Sequence, residues 1–290
     1  MTATKQDIKF DFAQLQDIKL HYAKAGSGKK LVVLLHGFPE FWYSWRHQLS
    51  AFSEDYTVVA PDMRGYNLSD KPTNVSAYEV EKLAADVVGL IHHLGFEKAG
   101  LVGHDWGAGV AWAVAANCPK SISKLACMQV PPASIWKKNQ TLKQFLASWY
   151  MFFFQLPKLP EWLLTKNDYK KMAMALKTTT AEKNVFSSDD VEKYKEAWKK
   201  EGAVTGALNY YRANIIKRMF GKGKKSEKIK VPTLFIYGEK DQAILAQTVE
   251  GVGSIIDAEY QELRIPEAAH WVQVEAKDKV TKALQNFLAD

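Results

Sequence analysis

Short apolar runs and helix-spaced stretches alternate from Ile8 to Met128, stop, and resume at Thr233. Residues 8–12 and 18–25 read as two strands joined by a polar turn. Residues 31–35 are continuously apolar, as expected of a strand buried on both faces. A helical stretch follows at 42–52, then a strand at 57–60 stopped by Pro61. Residues 77–94 carry apolar side chains at helical spacing, with Gly95 as the stop. A strand at 99–102, a small-residue helix over Trp106–Asn117 ended by Pro119, and a strand over Ile122–Met128 complete the first series. After the gap come strands at 233–237 and 259–265 and a closing helix at 277–288. This order calls for an α/β fold: a mostly parallel central sheet flanked by helices.

The gap is itself informative. From Pro131-Pro132 to about Lys230 the chain is aromatic, lysine-rich and helical in pattern, with no convincing strand. Gly221-Lys222-Gly223-Lys224-Lys225 reads as a flexible, charged exit. Neither flanking half completes a sheet alone, so both must contribute to one. The expected division is a core of residues 1–133 and 231–290 and an inserted helical cap of residues 134–230.

Composition narrows the class. Apolar residues are 47% and charged residues 24% of the 290, as in globular domains. Nine tryptophans point to a large apolar core, an aromatic-lined pocket, or both. No uncharged apolar stretch reaches the roughly 18 residues of a membrane span. The first residues lack the apolar segment of a secretory signal. Cys118 and Cys127 read as reduced thiols, so a cytoplasmic location without a stable membrane anchor is expected. The net charge is +7, yet residues 134–230 hold 21 Lys/Arg against 9 Asp/Glu. That excess fits a solvated helical surface, or attraction to anionic substrates or membranes. No nucleic-acid motif accompanies it. Oligomeric state is not encoded in any pattern of this kind.

Gly103-His104-Asp105-Trp106-Gly107 separates the 99–102 strand from the following helix. Small residues around a sharp strand–turn–helix expose one side chain, as in the nucleophile elbow of the α/β-hydrolase fold. Serine usually occupies the centre; here it is Asp105. An aspartate is ionised at neutral pH and can attack saturated carbon without a base. In isolation Asp105 equally fits a helix N-cap.

His36-Gly37-Phe38-Pro39 follows the 31–35 strand, where such a fold supplies one oxyanion-hole N–H. The expected donors are the amides of Phe38 and Trp106, residues also expected to touch substrate. A plain glycine-proline turn is the other reading of this string. Asp241, in Y-G-E-K-D, and His270, in A-A-H-W, each lie just beyond a predicted strand. The order Asp105, Asp241, His270 is nucleophile, acid, histidine, the chain order of α/β-hydrolases. Singly, Asp241 could be a turn residue and His270 an ordinary histidine.

Together H-G-F-P-E-F-W-Y-S-W (36–45), P-D-M-R-G-Y-N-L-S-D-K-P (61–72), G-H-D-W-G (103–107), Y-G-E-K-D (237–241) and A-A-H-W-V-Q-V-E (268–275) resemble the α/β-hydrolase-fold epoxide hydrolases. The resemblance spans nearly the whole chain. It implies two cap tyrosines that hydrogen-bond the epoxide oxygen. Asn209-Tyr210-Tyr211-Arg212 matches one motif at Tyr211, and Tyr150 precedes the aromatic stretch ending Gln155-Leu156-Pro157. Adjacent helical residues point about 100° apart, so Tyr210 and Tyr211 should not both face the reacting oxygen. Packing within the cap is the other role open to these rings.

The resemblance implies an epoxide and water as reactants, a vicinal diol as product, and no metal or organic cofactor. Haloalkane dehalogenases share the fold and the aspartate nucleophile, and Trp106 could donate to a halide. Haloacetate dehalogenases share H-G-F-P but carry arginine where this chain has Trp106. A small-molecule receptor on a hydrolase scaffold is a further alternative, although it has no need of nucleophile, acid and histidine together.

Overall fold

The computed structural model describes residues 8–220 and 228–289. Eight strands form one sheet: β1 Lys9–Gln14, β2 Lys19–Ala25, β3 Lys30–Leu35, β4 Tyr56–Pro61, β5 Ala99–His104, β6 Ile122–Met128, β7 Thr233–Gly238 and β8 Tyr260–Ile265. Their spatial order is β1-β2-β4-β3-β5-β6-β7-β8. The β1–β2 and β2–β4 pairs are antiparallel, and every pair from β4–β3 to β7–β8 is parallel. The continuous apolar runs have the predicted environment. β4, β5 and β7 are buried along their whole length, and β3 from Leu31 onward.

Helices cover both faces. α1 (Arg46–Phe52) and the closing α11 (Lys277–Ala289) bury Leu49, Phe52, Leu284 and Phe287 on one side. α2 (Val80–His93) and α3 (Trp106–Asn117) bury Leu83, Val87, Leu90, Ala111 and Val114 on the other. A short α10 (Val272–Glu275) precedes α11.

Two predicted helices are shorter than their apolar spacing suggests. The 42–52 stretch divides into a 3₁₀ turn, Trp42–Trp45, and α1. The 77–94 stretch divides at Glu79, whose backbone is extended. The reason is tertiary: Asn214 accepts the Val80 N–H at 2.9 Å and donates to the Tyr78 carbonyl at 2.8 Å. A side chain far along the chain thus caps α2 and sets its start. β5 runs two residues beyond its predicted end, because Gly103 and His104 stay in register with Cys127 and Met128.

Among the described residues, six helices stand between β6 and β7: α4 (Ala133–Lys138), α5 (Leu142–Ala147), α6 (Trp149–Phe153), α7 (Leu159–Thr178), α8 (Ser188–Trp198) and α9 (Ala203–Phe220). α7 is broken at Lys166, followed by left-handed backbone at Asn167, Asp168 and Tyr169. α9 rests directly on the loop after β4. A Cβ on Gly206 would collide with the Gly65 backbone, and Gly65 itself has φ +89°. The predicted exit at Gly221–Lys225 lies outside the described residues. Among the described residues no helix is long and apolar enough to cross a membrane. Cys118 and Cys127 are unpaired.

Candidate active site

Sheet register assembles the site before any side chain is considered. Leu35, the last residue of β3, pairs with Gly103 of β5; His104 pairs with Met128 of β6; Met128 pairs with Ile236 of β7. The segments carrying Phe38, Asp105, Gln129 and Asp241 therefore leave the same edge of the sheet. Ligand crevices of open parallel sheets form at these carboxyl ends.

Asp105 sits between β5 and α3 at φ 52°, ψ −117°, a region that L-residues rarely adopt. Its neighbours explain how the turn is accommodated. A Cβ on Gly107 would strike the Leu35 carbonyl, one on Gly103 would strike Gly107, and one on Gly37 would strike the Asp105 side chain. The glycines are thus required by close backbone approach. Asp105 occupies the N-cap position of α3, but its side chain makes no capping hydrogen bond. Oδ1 instead accepts the Phe38 N–H at 2.9 Å. No bond from the Trp106 amide to this carboxylate is formed among the described residues.

Oδ2 of Asp105 lies 3.7 Å from Nε2 of His270. The other ring nitrogen, Nδ1, lies 2.8 Å from Oδ2 of Asp241. Asp241 is buried and fully partnered. Its Oδ1 accepts the amides of Ala243 and Ile244 at 2.7 and 3.0 Å, and Oδ2 also accepts Nε2 of Gln129 at 2.6 Å. Burial raises the Asp241 pKa, yet the His270 charge and these hydrogen bonds outweigh it and hold the carboxyl below its usual range. An ionised Asp241 accepts from Nδ1–H and so leaves Nε2 aimed at Asp105.

His270 feels opposing influences. Burial lowers its pKa, but Asp241, then Asp105 and Glu40, raise it to about 9. The imidazole is therefore protonated at neutral pH. Neutralising Asp105 removes one of these charges. In Asp105→Asn the His270 midpoint should fall by about one pH unit or more, the usual effect of a lost charge at this range. An NMR titration of the His270 ring protons checks this, and an unmoved midpoint would contradict the coupling.

The tyrosines come from the insertion. Tyr150 of α6 and Tyr211 of α9 have ring centroids 6.0 Å apart. Tyr211 also packs edge-on against Phe38 and Trp106, at 5.4 and 5.1 Å. Burial, followed by the negative charge of Asp105, pushes both hydroxyls above the usual phenol pKa, so both remain protonated donors. Tyr210 turns away and donates to the Arg64 carbonyl at 2.8 Å. Two side chains join the two tyrosine segments: Gln155 donates to the Tyr211 carbonyl, and Arg212 to the carbonyls of Phe154 and Leu156. A cavity runs from Asp105, Trp106 and Tyr211 toward Trp136, Met151 and Ile215, so its walls are largely apolar.

Four supporting residues carry no role in the sequence reading. Gln129 bonds Asp241 and the Ala269 carbonyl through Nε2 and accepts the Gly238 amide through Oε1. Glu40 and His104 form a wholly buried pair at 2.8 Å, and Nε2 of His104 donates to the His270 carbonyl at 2.8 Å. Burial raises the Glu40 pKa, but His104 more than offsets this and holds it below the carboxylate range. Glu275 accepts the amides of Ala269 and Trp271, on either side of His270. Glu40, His104 and Glu275 all lie within the motif strings, and their positions there are the signal that could have found them. Gln129 has only its place after β6. Among the described residues no group of three or more His, Cys, Asp or Glu side chains could hold a metal ion.

Comparison with known proteins gives a consistent result. The family described as alpha/beta hydrolase fold matches residues 30–277. Epoxide hydrolase 1 of Caenorhabditis elegans is 37% identical over 287 residues, covering 96% of this chain and 69% of that protein. The AB hydrolase superfamily protein YfhM of Bacillus subtilis is 39% identical over 294 residues, covering 97% and 98%. The crystal structure of Bacillus megaterium epoxide hydrolase in complex with an inhibitor superposes with a TM-score of 0.87 at 30% identity, covering 97% of this chain and 100% of that one.

Proposed function

The chain belongs to the epoxide-hydrolase branch of the alpha/beta-hydrolase fold family, and from that premise we propose that it opens an epoxide to a vicinal diol through an ester on Asp105. The observation that carries this reading is the division of labour at the Asp105 carboxylate. Oδ1 is held by the Phe38 amide, while Oδ2 is left facing His270 at a distance too long for a hydrogen bond. Oδ2 is then the attacking atom and Oδ1 the oxygen that later bears charge.

The residues of this chain assign themselves to two half-reactions. In the first, Tyr150 and Tyr211 donate hydrogen bonds to the epoxide oxygen. Oδ2 attacks a ring carbon, the ring C–O bond breaks, and the freed oxygen takes a proton from the hydroxyl bonded to it, which the proton given up by His270 then replaces through water. Hydrogen bonds that strengthen as charge develops accelerate such a step. Forming the ester removes the negative charge of Asp105, which lowers the pKa of His270. In the second half-reaction, neutral His270 takes a proton from water at Nε2 while Asp241 holds Nδ1–H. The hydroxide adds to Cγ of Asp105, the amides of Phe38 and Trp106 stabilise the oxyanion, and the Cγ–Oδ2 bond breaks as the leaving oxygen takes the proton of the added hydroxyl, giving the diol and the Asp105 carboxylate. The diol leaves with an oxygen that began on Asp105, and water replaces it.

The six-helix insertion acts as the cap, residues 134–230 over a core of 1–133 and 231–290, and contributes the two tyrosines. Apolar cavity walls support a hydrophobic substituent on the epoxide. The free thiols of Cys118 and Cys127 support a reducing, cytoplasmic compartment. Trp106 beside Asp105 is what a halide-releasing reading would use. Purified protein incubated with matched panels of terminal epoxides and haloalkanes separates the two. Diol from the epoxides is expected; halide release without diol would replace this reading by a dehalogenase.

A further inference from the structure

Helix α5, with the Ser148 that joins it to α6, is built inside out. The polar residues Gln144 and Ser148 are 0% and 1% exposed. Gln144 donates to the Ala243 carbonyl and the Ser148 hydroxyl, and accepts from the Leu245 amide and the Thr248 hydroxyl. This inward bonding holds the loop just after Asp241, and it turns the opposite side of the helices to solvent. That side carries Leu142, Phe145, Leu146 and Trp149, which are 75%, 42%, 61% and 64% exposed. Their spacing of i, i+3, i+4 and i+7 makes one continuous helical stripe. An apolar stripe of this kind, with large side chains outward, marks an interaction surface.

Charge indicates the partner. Residues 134–160 contain Lys137, Lys138, Lys143 and Lys158 and no aspartate or glutamate. Leu, Phe and Trp bordered by lysines are the pattern of a helix that lies in a lipid–water interface. Lysines near such a surface are drawn to anionic headgroups. A symmetric contact with a second copy would instead set these lysines against one another.

A pocket beside the stripe adjoins the site. An outer pocket walled by Leu142 and Phe145 shares Trp136 and Met219 with the cavity that reaches Asp105.

We propose that the α5–α6 face docks reversibly on the surface of an anionic phospholipid bilayer. The lysines meet headgroups, and Leu142, Phe145, Leu146 and Trp149 enter the acyl boundary. The contact is peripheral. A docked molecule takes apolar substrate from the lipid through the outer pocket; this last step rests on the hydrolase reading, whereas the docking does not.

Co-sedimentation of the whole protein with phosphatidylcholine vesicles, with and without phosphatidylglycerol, tests the docking. Binding is expected to the anionic vesicles and to weaken in high salt. Leu146→Glu with Trp149→Glu should lower partitioning at least about tenfold, since two of the four acyl anchors are lost and replaced by charge. Turnover of a water-soluble epoxide should be unchanged in that variant. Lys138→Glu with Lys143→Glu and Lys158→Glu should abolish the preference for anionic lipid. Vesicle binding without epoxide turnover would uphold the docking and overturn only the reaction. Failure of the unaltered protein to bind anionic vesicles overturns the proposal. So does a dimer in sedimentation velocity that the Leu146/Trp149 variant dissociates, without vesicle binding.

Discussion

His270→Gln should stop the reaction at the ester. Glutamine fills much of the imidazole's space, and its amide can still face Asp241, but it cannot accept a proton from water. The first half-reaction needs no base, because Asp105 is already a nucleophile. Asp105 should therefore be alkylated and remain so. Turnover is expected to fall about 10³-fold or more, the upper part of the range for losing a positioned base. Mass spectrometry after mixing with an epoxide should find the mass of one substrate on the peptide containing Asp105. In the unaltered protein the same peptide should carry label after turnover in H₂¹⁸O, because water oxygen enters the carboxylate when Cγ–Oδ2 breaks. Intact turnover in His270→Gln, with no adduct, would falsify the assignment.

Tyr150→Phe combined with Tyr211→Phe should abolish the other half. Both rings remain, so the aromatic packing with Phe38, Phe154 and Trp106 is kept. Only the two hydroxyl donors disappear. Each single change should slow ester formation about 10²-fold, and the pair by about 10³-fold or more, as for loss of positioned proton donors. Adding His270→Gln to the double variant should leave adduct formation slowed by the same factor. That result separates a defect in ring opening from a defect in hydrolysis. Full activity in the double variant, with an unchanged melting temperature, would remove the tyrosines from the reaction.

Some of this site is legible in the sequence for a simple reason. Its spacing is local. Gly103, Asp105 and Gly107 lie within five residues because one tight turn needs two backbones to touch on either side of it. Gly37 sits next to Phe38 because the Asp105 side chain fills the space its Cβ would take. Continuous apolar runs such as β3 and β4 reveal strands buried on both faces without any knowledge of their neighbours.

Other parts have no local signature. Gln129 matters through bonds to Asp241, Ala269 and Gly238, more than a hundred positions away along the chain. Glu40 and His104 lie inside motif strings, but nothing local shows that the fold buries them as a pair behind His270. The start of α2 depends on Asn214, which no pattern around Val80 can announce. α5 and α6 carry the plainest conflict between pattern and placement. Apolar spacing alone would put Leu142, Phe145, Leu146 and Trp149 in a core. Gln144 reverses this, because its bonds to Ala243, Leu245 and Thr248 exist only once the loop after Asp241 is beside it.

The sequence by itself determined the alternation that requires a flanked parallel sheet, the helical interruption, and the identity of an aspartate at the centre of a glycine-bounded turn. These depend on side-chain period and on steric needs within a few residues. Only the tertiary structure decided that Oδ1 of Asp105 meets the Phe38 amide, that Oδ2 faces His270, and that Tyr210 donates to the Arg64 carbonyl. Those outcomes follow from sheet register and from the close contact of Gly206 with Gly65, which set the relative placement of segments that the chain holds far apart.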